Sequence, residues 1–329
     1  MKLVTFSADG AEKLGVVVGT AGAEAVLDLA AAAARSGRPS EALGSMLALI
    51  GAGPKGLDRV RAEIDARAGE ADLTRPLGEA QLLAPIPVPP QMRDFSVFPD
   101  HITDAPVGMR RIIARMKGDE AGAQALKPDP DVPSVYREKP IYYFTNRFSV
   151  VGTGTDVVWP AYSRLMDYEL EFGIVLGKGG TDITRAAAPD HIFGYMVFND
   201  FSARDAQLAE MQGMLGPTKG KSFNAGNAMG PYLVTADAVK EPYALNAVAK
   251  VNGEVWTDSS TAGMLHSFED MIAYVSRSET LHAGEFFGSG TVNGGCGLEH
   301  DRFLKHGDVV ELTVEGLGTL RNRVLRKDA

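Results

Sequence analysis

The amino-acid sequence predicts an α+β fold in which a small N-terminal domain precedes a larger, mainly β domain. After residue 92, β-branched segments bounded by glycine recur along the chain, as strands do. Clear helical periodicity there is confined to 107–116 and 267–277. A run with four prolines, at 85–91, separates this part from a helix-rich beginning. Many strands with few helices argue against an alternating α/β sheet.

The first part of the chain, residues 1–85, is predicted to form a small α+β domain. Its expected strands are 2–6 and 15–19, and its expected helices are 25–37, 43–53 and 56–71. In the last of these, Leu57, Val60 and Ile64 share one helical face. The proline run that follows cannot continue a helix and favours an extended connector, so the boundary is placed after residue 85.

The second part, residues 86–329, is predicted to be the catalytic domain. Its expected strands lie within 148–152, 168–177, 191–200, 246–256 and 308–324. Residues 117–139 are polar and rich in proline, aspartate and glycine, which predicts a long surface loop. Because long loops in compact domains are often functional, we expect the segment 100–140 to be a mobile lid.

Charge and cysteine content exclude several classes of protein. The net charge of −9 argues against a nucleic-acid partner, since phosphate binding needs clustered lysine and arginine. The single cysteine, Cys296, cannot form an internal disulfide, which favours a reducing compartment. The start of the chain lacks the apolar run of a signal peptide, and no stretch reaches the roughly 18 apolar residues of a membrane helix. We therefore expect a cytoplasmic protein that binds neither nucleic acid nor membrane.

The strongest local signal is the acidic pattern Asp167-Tyr-Glu169-Leu-Glu171. In a strand, these three acids project from one face, and two adjacent glutamates repel each other unless a cation lies between them. An exposed strand edge with a solvated acidic face would give the same pattern. The apolar residues 173–177 that follow indicate a buried strand and favour the functional interpretation.

A second signal is Asp200, which ends the apolar run 191–200. Helix N-capping is the alternative interpretation, because aspartate is favoured at such positions. If Asp200 converges with Glu169 and Glu171, the three form a hard, all-oxygen site that suits Mg²⁺, Mn²⁺ or Ca²⁺ better than zinc.

Three further stretches contain candidate residues. His101 follows Asp94 by seven residues, although a lone histidine is more often structural than catalytic. The segment 216–223 resembles a phosphate loop but lacks the required glycine spacing. The glycine-rich segment 288–299 lets the backbone approach a ligand closely, and its Cys296 has no metal partners at a recognisable spacing and no nearby base.

Taken in order, these motifs resemble the fumarylacetoacetate hydrolase family, from about residue 90 to about residue 323. They are DF with a later histidine (94–101), DYELE (167–171), FNDFSARDAQ (198–207), GPTKGKSF (216–223), SGT with GCGLE (289–299) and GDVVEL with GLGTLRN (307–322). Residues 1–85 resemble only the variable N-terminal domains of that family. The resemblance implies a mixed β-roll or β-sandwich catalytic domain, a homodimer, and a metal held by carboxylates.

The resemblance also implies roles for individual residues. The metal ligands would be Glu169, Glu171 and Asp200, with Asp94 as a fourth. His101 would be the catalytic base, oriented by Glu299. Arg204, Gln207 and Lys221 would be catalytic groups that face the developing negative charge. Arg204 and Gln207 would also bind substrate, and Thr291 would contact it through its hydroxyl.

Some positions depart from the family pattern. Two phenols of the typical enzyme are replaced by Ser96 and Met211, which puts the typical substrate in doubt. Asp104, three residues after His101, is an alternative partner for that histidine.

The implied activity is Mg²⁺-, Mn²⁺- or Ca²⁺-dependent hydrolysis of a carbon–carbon bond in a 2,4-dioxo acid or acylpyruvate-like β-diketone, in aromatic or sugar acid catabolism. The products would be a 2-oxo acid such as pyruvate and a second acid. Decarboxylation or isomerisation of a small 2-oxo acid on the same scaffold is the first alternative. A non-catalytic, Ca²⁺-binding dimer is the second.

Overall fold

A computed structural model describes residues 1–327, in which strands and helices alternate irregularly. The first 85 residues form β1 (Lys2–Ala8), β2 (Ala11–Val18), β3 (Ala25–Asp28), α1 (Leu29–Arg35), α2 (Met46–Arg67), β4 (Thr74–Pro76) and β5 (Gln81–Leu82). The next elements are β6 (Met92–Phe95), α3 (Pro99–Met116), α4 (Glu120–Ala125), α5 (Ser134–Glu138), β7 (Tyr142–Phe144), β8 (Val150–Val151), β9 (Asp156–Trp159), β10 (Met166–Asp167), β11 (Leu170–Leu176), β12 (Ile192–Asp200) and β13 (Ser202–Ala203). The last are α6 (Arg204–Met211), α7 (Thr218–Lys221), β14 (Asn227–Thr235), β15 (Asn246–Val251), β16 (Glu254–Ser260), α8 (Phe268–Val275), β17 (Phe286–Gly288), α9 (Gly297–His300), β18 (Val309–Val314) and β19 (Gly318–Arg326).

The predicted α+β class is confirmed, with most strands in two large sheets. The larger sheet has the order β4-β3-β2-β1-β14-β12-β11-β17-β6-β7, and the smaller has the order β16-β15-β18-β19-β9. One hydrophobic cluster contains side chains of both sheets, for example Phe172 of β11 and Leu312 of β18. The strands β11 and β12 are buried along their whole length, which explains their near-continuous apolar sequence.

A single sheet runs across residue 85. Strand β1 pairs antiparallel with β14, with Leu3 opposite Leu233, and both leucines belong to one hydrophobic cluster. The structure thus shows that the parts before and after residue 85 share a sheet. The division into two domains at that residue stays a prediction.

All three helices predicted in the first part differ in their bounds from the structure. The first four residues of the expected helix 25–37 form β3, because they pair with β2, and the helix begins only after Asp28. The Asp28 carboxylate caps it by accepting a hydrogen bond from the Ala31 amide at 2.9 Å. The expected helices 43–53 and 56–71 merge into α2, which is kinked at Gly53 before Pro54.

The segment expected to be a lid is more helical than its sequence indicates. Helix α3 begins at Pro99, so His101 lies in its first turn, and the loop predicted at 117–139 contains α4 and α5. Pro99 suits a helix start, and Asp119 caps α4 through the Gly122 amide. Arg115 ties α3 to Asp301, just after α9. The mobility of this segment stays a prediction.

None of the helices among residues 1–327 combines the length and the hydropathy that a bilayer crossing demands.

Candidate metal and catalytic site

Three acidic side chains converge at one end of the central strands. Asp94 lies on β6, Glu171 near the start of β11, and Asp200 at the end of β12. Each offers a carboxylate oxygen within 4.8 Å of the others. All three residues are buried, at 3%, 0% and 0% exposure respectively. We call Asp94, Glu171 and Asp200 the acidic triad.

Gly288 creates the space in which two of these carboxylates meet. It lies on β17, between β11 and β6, directly opposite Asp94. A Cβ atom at this position would lie 2.5 Å from Asp94 Oδ1 and 3.2 Å from Glu171 Oε2. The absence of a side chain on the middle strand therefore lets acids of its two neighbours approach each other.

We expect Gly288→Val to lower the affinity for Mn²⁺ by at least about 10-fold, because its side chain would displace the Asp94 carboxylate. Isothermal titration of the metal-free protein measures the affinity, and far-ultraviolet circular dichroism checks the fold. Gly288→Ala, with one added carbon, should give a smaller loss. Unchanged affinity in a folded Gly288→Val protein would contradict this steric role.

The three carboxylates of the acidic triad are only partly balanced by positive charge, which Lys221 supplies beside Asp200. Asp94 Oδ1, Glu171 Oε1 and Asp200 Oδ1 are buried without a hydrogen-bond partner among residues 1–327. Burial and the charge of Asp200 raise the pKa of Asp94 to about 7. Burial, with the charge of Asp94 next, raises the pKa of Glu171 well above its usual range. A divalent cation would neutralise these groups, and an all-oxygen donor set suits Mg²⁺, Mn²⁺ or Ca²⁺, so the residues fit a resident metal.

Glu169, predicted as a metal ligand, lies beside two positively charged side chains. Its Oε1 lies 2.8 Å from Arg204 Nη1, and Lys221 donates a hydrogen bond to its Oε2. Burial opposes its negative charge, but the charges of Lys221 and Arg204 outweigh burial and lower its pKa to about 2. Lys221 Nζ also lies 2.7 Å from Asp200 Oδ2, and so links Glu169 to the triad. Metal ligation by Glu169 stays a prediction.

Asp167 holds Arg204 in place, a role that the sequence did not reveal. The expected run of three acids along one strand is wrong, because Asp167 belongs to the separate short strand β10, which pairs with β13. Its carboxylate accepts from Arg204 Nε at 2.8 Å and from the Gly297 and Leu298 amides at 2.8 and 2.9 Å. Arg204 donates in turn to Gln207 Oε1 at 3.0 Å. Both Arg204 and Gln207 are therefore fixed beside Glu169.

His101 lies beside Glu299. Its Nδ1 is 3.4 Å from Glu299 Oε2, whereas Asp104 accepts a hydrogen bond from the Thr103 hydroxyl. The Glu299 carboxylate is oriented by the Cys296 and Gly294 amides, each at 3.1 Å. Burial lowers the pKa of His101, but the negative charge of the nearby Glu299 outweighs burial, and the pKa is raised. This geometry favours Glu299 over Asp104 as the partner of His101.

Tyr143 is a site residue that sequence reasoning missed. It lies opposite Asp94 in the β6–β7 pair, and its hydroxyl donates to the Asp200 carboxylate. Burial and the charge of Asp200 keep its pKa well above the usual value, so the phenol remains a donor. A phenol thus reaches the site from β7, although Ser96 and Met211 lack one. Only the pairing of β6 with β7 could have indicated it.

Thr291, expected to contact substrate, is buried in the turn that follows β17. The preceding Gly290 has a φ of 78°, which glycine adopts readily, and its amide donates to Glu171 Oε2 at 3.0 Å. The turn therefore orients a triad carboxylate and lies next to it. Substrate contact by Thr291 stays a prediction.

Comparison with known proteins gives a family match and similar structures. The model of the fumarylacetoacetate hydrolase C-terminal family matches residues 111–325. An uncharacterized protein of Staphylococcus haemolyticus is 37% identical over 190 residues, which are 56% of this chain and 62% of that protein. The chain thus spans under two thirds of the length of that curated relative.

Two solved structures extend the similarity to nearly the whole chain. Fumarylacetoacetate hydrolase from Exiguobacterium antarcticum is 27% identical with a TM-score of 0.71, over 99% of this chain and 100% of that one. Maleylpyruvate hydrolase from Sphingobium sp. SYK-6, in complex with manganese(II) and pyruvate, is 22% identical with a TM-score of 0.70, over 99% of both chains. At that identity, the second similarity concerns the fold alone.

Proposed function

Because the chain belongs to the fumarylacetoacetate hydrolase family, we propose that it is a divalent-metal-dependent hydrolase of a 2,4-dioxo acid or acylpyruvate-like β-diketone. It would cleave a carbon–carbon bond and release a 2-oxo acid such as pyruvate together with a second acid. The observation that carries the proposal is the buried acidic triad with unpartnered oxygens, joined through Lys221 to Glu169. His101, which lies beside the Glu299 carboxylate, would supply the general base that hydrolysis also needs.

The metal in this proposal is Mg²⁺, with Mn²⁺ and Ca²⁺ as alternatives. Asp94, Glu171 and Asp200 would hold it, and Glu169 would join them as a further ligand. When bound, the cation supplies Lewis-acid polarisation of the substrate's carboxylate and keto oxygens. Tyr143 and Lys221 both donate to Asp200, and so fix the orientation of one ligand.

His101 is the proposed general base. Its Nδ1 faces Glu299, so the neutral ring donates its proton there and keeps a lone pair on Nε2. Nε2 would take a proton from the water that attacks the distal carbonyl. At 3.4 Å, the contact between His101 and Glu299 is long for a hydrogen bond, and closure of α3 over substrate would shorten it.

Lys221 and Gln207 are the proposed donors to the developing oxyanion. Lys221 uses two of its three N–H groups on Glu169 and Asp200, which leaves one for substrate. Gln207 accepts from Arg204 through Oε1, which leaves its amide group as a donor. Arg204 is engaged by Asp167, Glu169 and Gln207, so its contribution is to orient Glu169 and Gln207. Such donors are often worth a few kcal/mol each in the transition state.

A substrate screen tests the proposal. Acylpyruvates and sugar-derived 2,4-dioxo acids are incubated with protein and Mg²⁺ or Mn²⁺, and loss of enol absorbance is followed with product analysis. Formation of a 2-oxo acid and a second acid is expected. Release of CO₂ without formation of a second acid would favour decarboxylation, and no turnover of any dioxo acid would favour the Ca²⁺-binding alternative. The homodimer and the cytoplasmic location stay predictions.

The pH dependence tests the pairing of His101 with Glu299. The neutral imidazole is the active form, so the hydrolytic rate should rise with pH through the His101 pKa, which lies above its usual value. Glu299→Gln removes the charge that raises this pKa, so the acidic limb of the profile should move to lower pH. Asp104→Asn, on the same helix, should leave that limb nearly in place. A limb that moves with Asp104→Asn and not with Glu299→Gln would make Asp104 the partner.

A further inference from the structure

Three side chains of different chemistry meet where α3 passes α9. His101 lies in the first turn of α3, while Cys296 and Glu299 are the N-cap and third residues of α9. One ligand atom from each lies within 4.8 Å of the other two. Cys296 Sγ is 3.2 Å and His101 Nδ1 is 3.4 Å from Glu299 Oε2. The sequence alone did not indicate this cluster, because Cys296 has no partner at a recognisable spacing.

This donor set suits a different cation from the one the acidic triad suits. Imidazole nitrogen, thiolate sulfur and carboxylate oxygen are the three ligand types of tetrahedral zinc, and three protein ligands leave one position open. With metal–ligand bonds of 2.0–2.3 Å, ligand atoms of a tetrahedral site lie roughly 3.3–3.8 Å apart. The two distances measured to Glu299 Oε2 are close to this range. Hard Mg²⁺ has no preference for sulfur or imidazole.

We propose that His101, Cys296 and Glu299 form a second cation site that takes Zn²⁺ or another thiophilic divalent ion and thereby blocks hydrolysis. The binding part is independent of the proposed function. The blocking part rests on it, because it requires His101 to be the general base.

The cluster is arranged for binding before a cation arrives. The Cys296 and Gly294 amides fix the Glu299 carboxylate, and His101 Nδ1 is buried without a well-formed hydrogen bond. Cys296 is fully buried, and its thiol donates to Glu299. As the sulfur–metal bond forms, the thiol proton leaves to solvent, which is the usual course of thiol ligation.

Binding at Nδ1 would disable His101 through its tautomer. A cation on the Nδ1 lone pair requires the ring proton to lie on Nε2. Nε2 then has no lone pair with which to accept a proton from the attacking water. With a cation on Nδ1, His101 could also no longer donate a hydrogen bond to Glu299. Inhibition therefore follows from occupation of the site, even with the acidic triad loaded with Mg²⁺.

A spectroscopic experiment tests binding. Co²⁺, which replaces zinc and reports thiolate ligation by a sulfur-to-metal charge-transfer band, is titrated into protein preloaded with excess Mg²⁺. Wild-type protein and Glu171→Gln, altered only in the triad, should both show the band. Cys296→Ser should lose it, while serine preserves the helix cap. Absence of the band from the wild type, or its persistence in Cys296→Ser, would overturn the site.

An inhibition experiment tests blocking. Zn²⁺ is titrated into the Mg²⁺-loaded protein during turnover, and each protein is compared with its own zinc-free rate. Half-inhibition of Cys296→Ser should need at least about 10-fold more Zn²⁺ than the wild type, because hydroxyl oxygen is a poorer zinc ligand than thiolate. Equal sensitivity, or a charge-transfer band with zinc-insensitive turnover, would overturn the blocking role. If no dioxo acid is turned over, the proposed function fails, and the Co²⁺ spectrum still decides the site.

Discussion

His101→Ala is expected to lower the rate of hydrolysis by roughly 10²- to 10⁴-fold, the usual contribution of general acid–base catalysis. The reason is geometric: Glu299 lies at Nδ1 of this histidine, which directs Nε2 as the base. Affinity for Mn²⁺ should stay unchanged, because His101 is not among the acids of the triad. Steady-state turnover of a confirmed substrate and isothermal titration with Mn²⁺ measure the two effects.

Asp104→Asn is the matched control for this variant. It changes a titratable group three residues further along α3 but leaves the contact between His101 and Glu299 intact. Its turnover should remain close to that of the wild type. Near-normal hydrolysis by His101→Ala would remove the residue from the mechanism. Decarboxylation that survives in His101→Ala while hydrolysis is lost would favour the decarboxylase interpretation.

Glu171→Gln is expected to reduce Mn²⁺ affinity by at least about 100-fold. Mutation of a residue that only hydrogen-bonds a metal ligand already lowers metal affinity or activity by about 10- to 100-fold, and Glu171 would be a ligand itself. The metal-free protein should keep its stability within about 1 kcal/mol. Burial and the charge of Asp94 raise the pKa of Glu171, so its metal-free carboxyl holds a proton that glutamine imitates. Isothermal titration and urea unfolding of the metal-free protein provide both measurements.

Glu169→Gln is the matched comparison, and unlike Glu171→Gln it should destabilise the metal-free protein. Its carboxylate balances two buried cations, Lys221 and Arg204. Removal of one partner from a buried ion pair leaves uncompensated charge, so the free energy of unfolding should fall by roughly 3–5 kcal/mol. Equal stability losses in Glu171→Gln and Glu169→Gln would contradict the separation between the triad and the Glu169 cluster.

The sequence supported the fold class and most of the site because the signals there are local. β-Branched composition and bounding glycines identified β11 and β12, which the structure confirms as buried strands. Glu171 was singled out by the alternating acidic pattern, Asp200 by its place at the end of an apolar run, and Asp94 by the family resemblance. His101 and Glu299 were paired through the family resemblance, and their side chains do lie together.

What the sequence could not predict depends on contacts between distant segments. Tyr143 reaches Asp200 only because β7 pairs with β6, and Lys221 reaches Glu169 only because α7 lies beside the start of β11. The helix start at Pro99 was missed because polar residues mask the periodicity of its first turns. Pairing with β2 likewise overrode the helical composition that follows Ala25.

The pairing of β1 with β14 has a consequence for synthesis on the ribosome. Leu3 is synthesised 230 residues before its partner Leu233. At the usual 5–20 residues per second, the end of β1 at Lys2 and Leu3 waits roughly 10–50 s for β14, whereas Phe6 and Ser7 pair earlier with β5. An unpaired apolar strand edge invites association with other chains during such an interval. Nascent chains of this protein should therefore depend on chaperones until β14 has emerged.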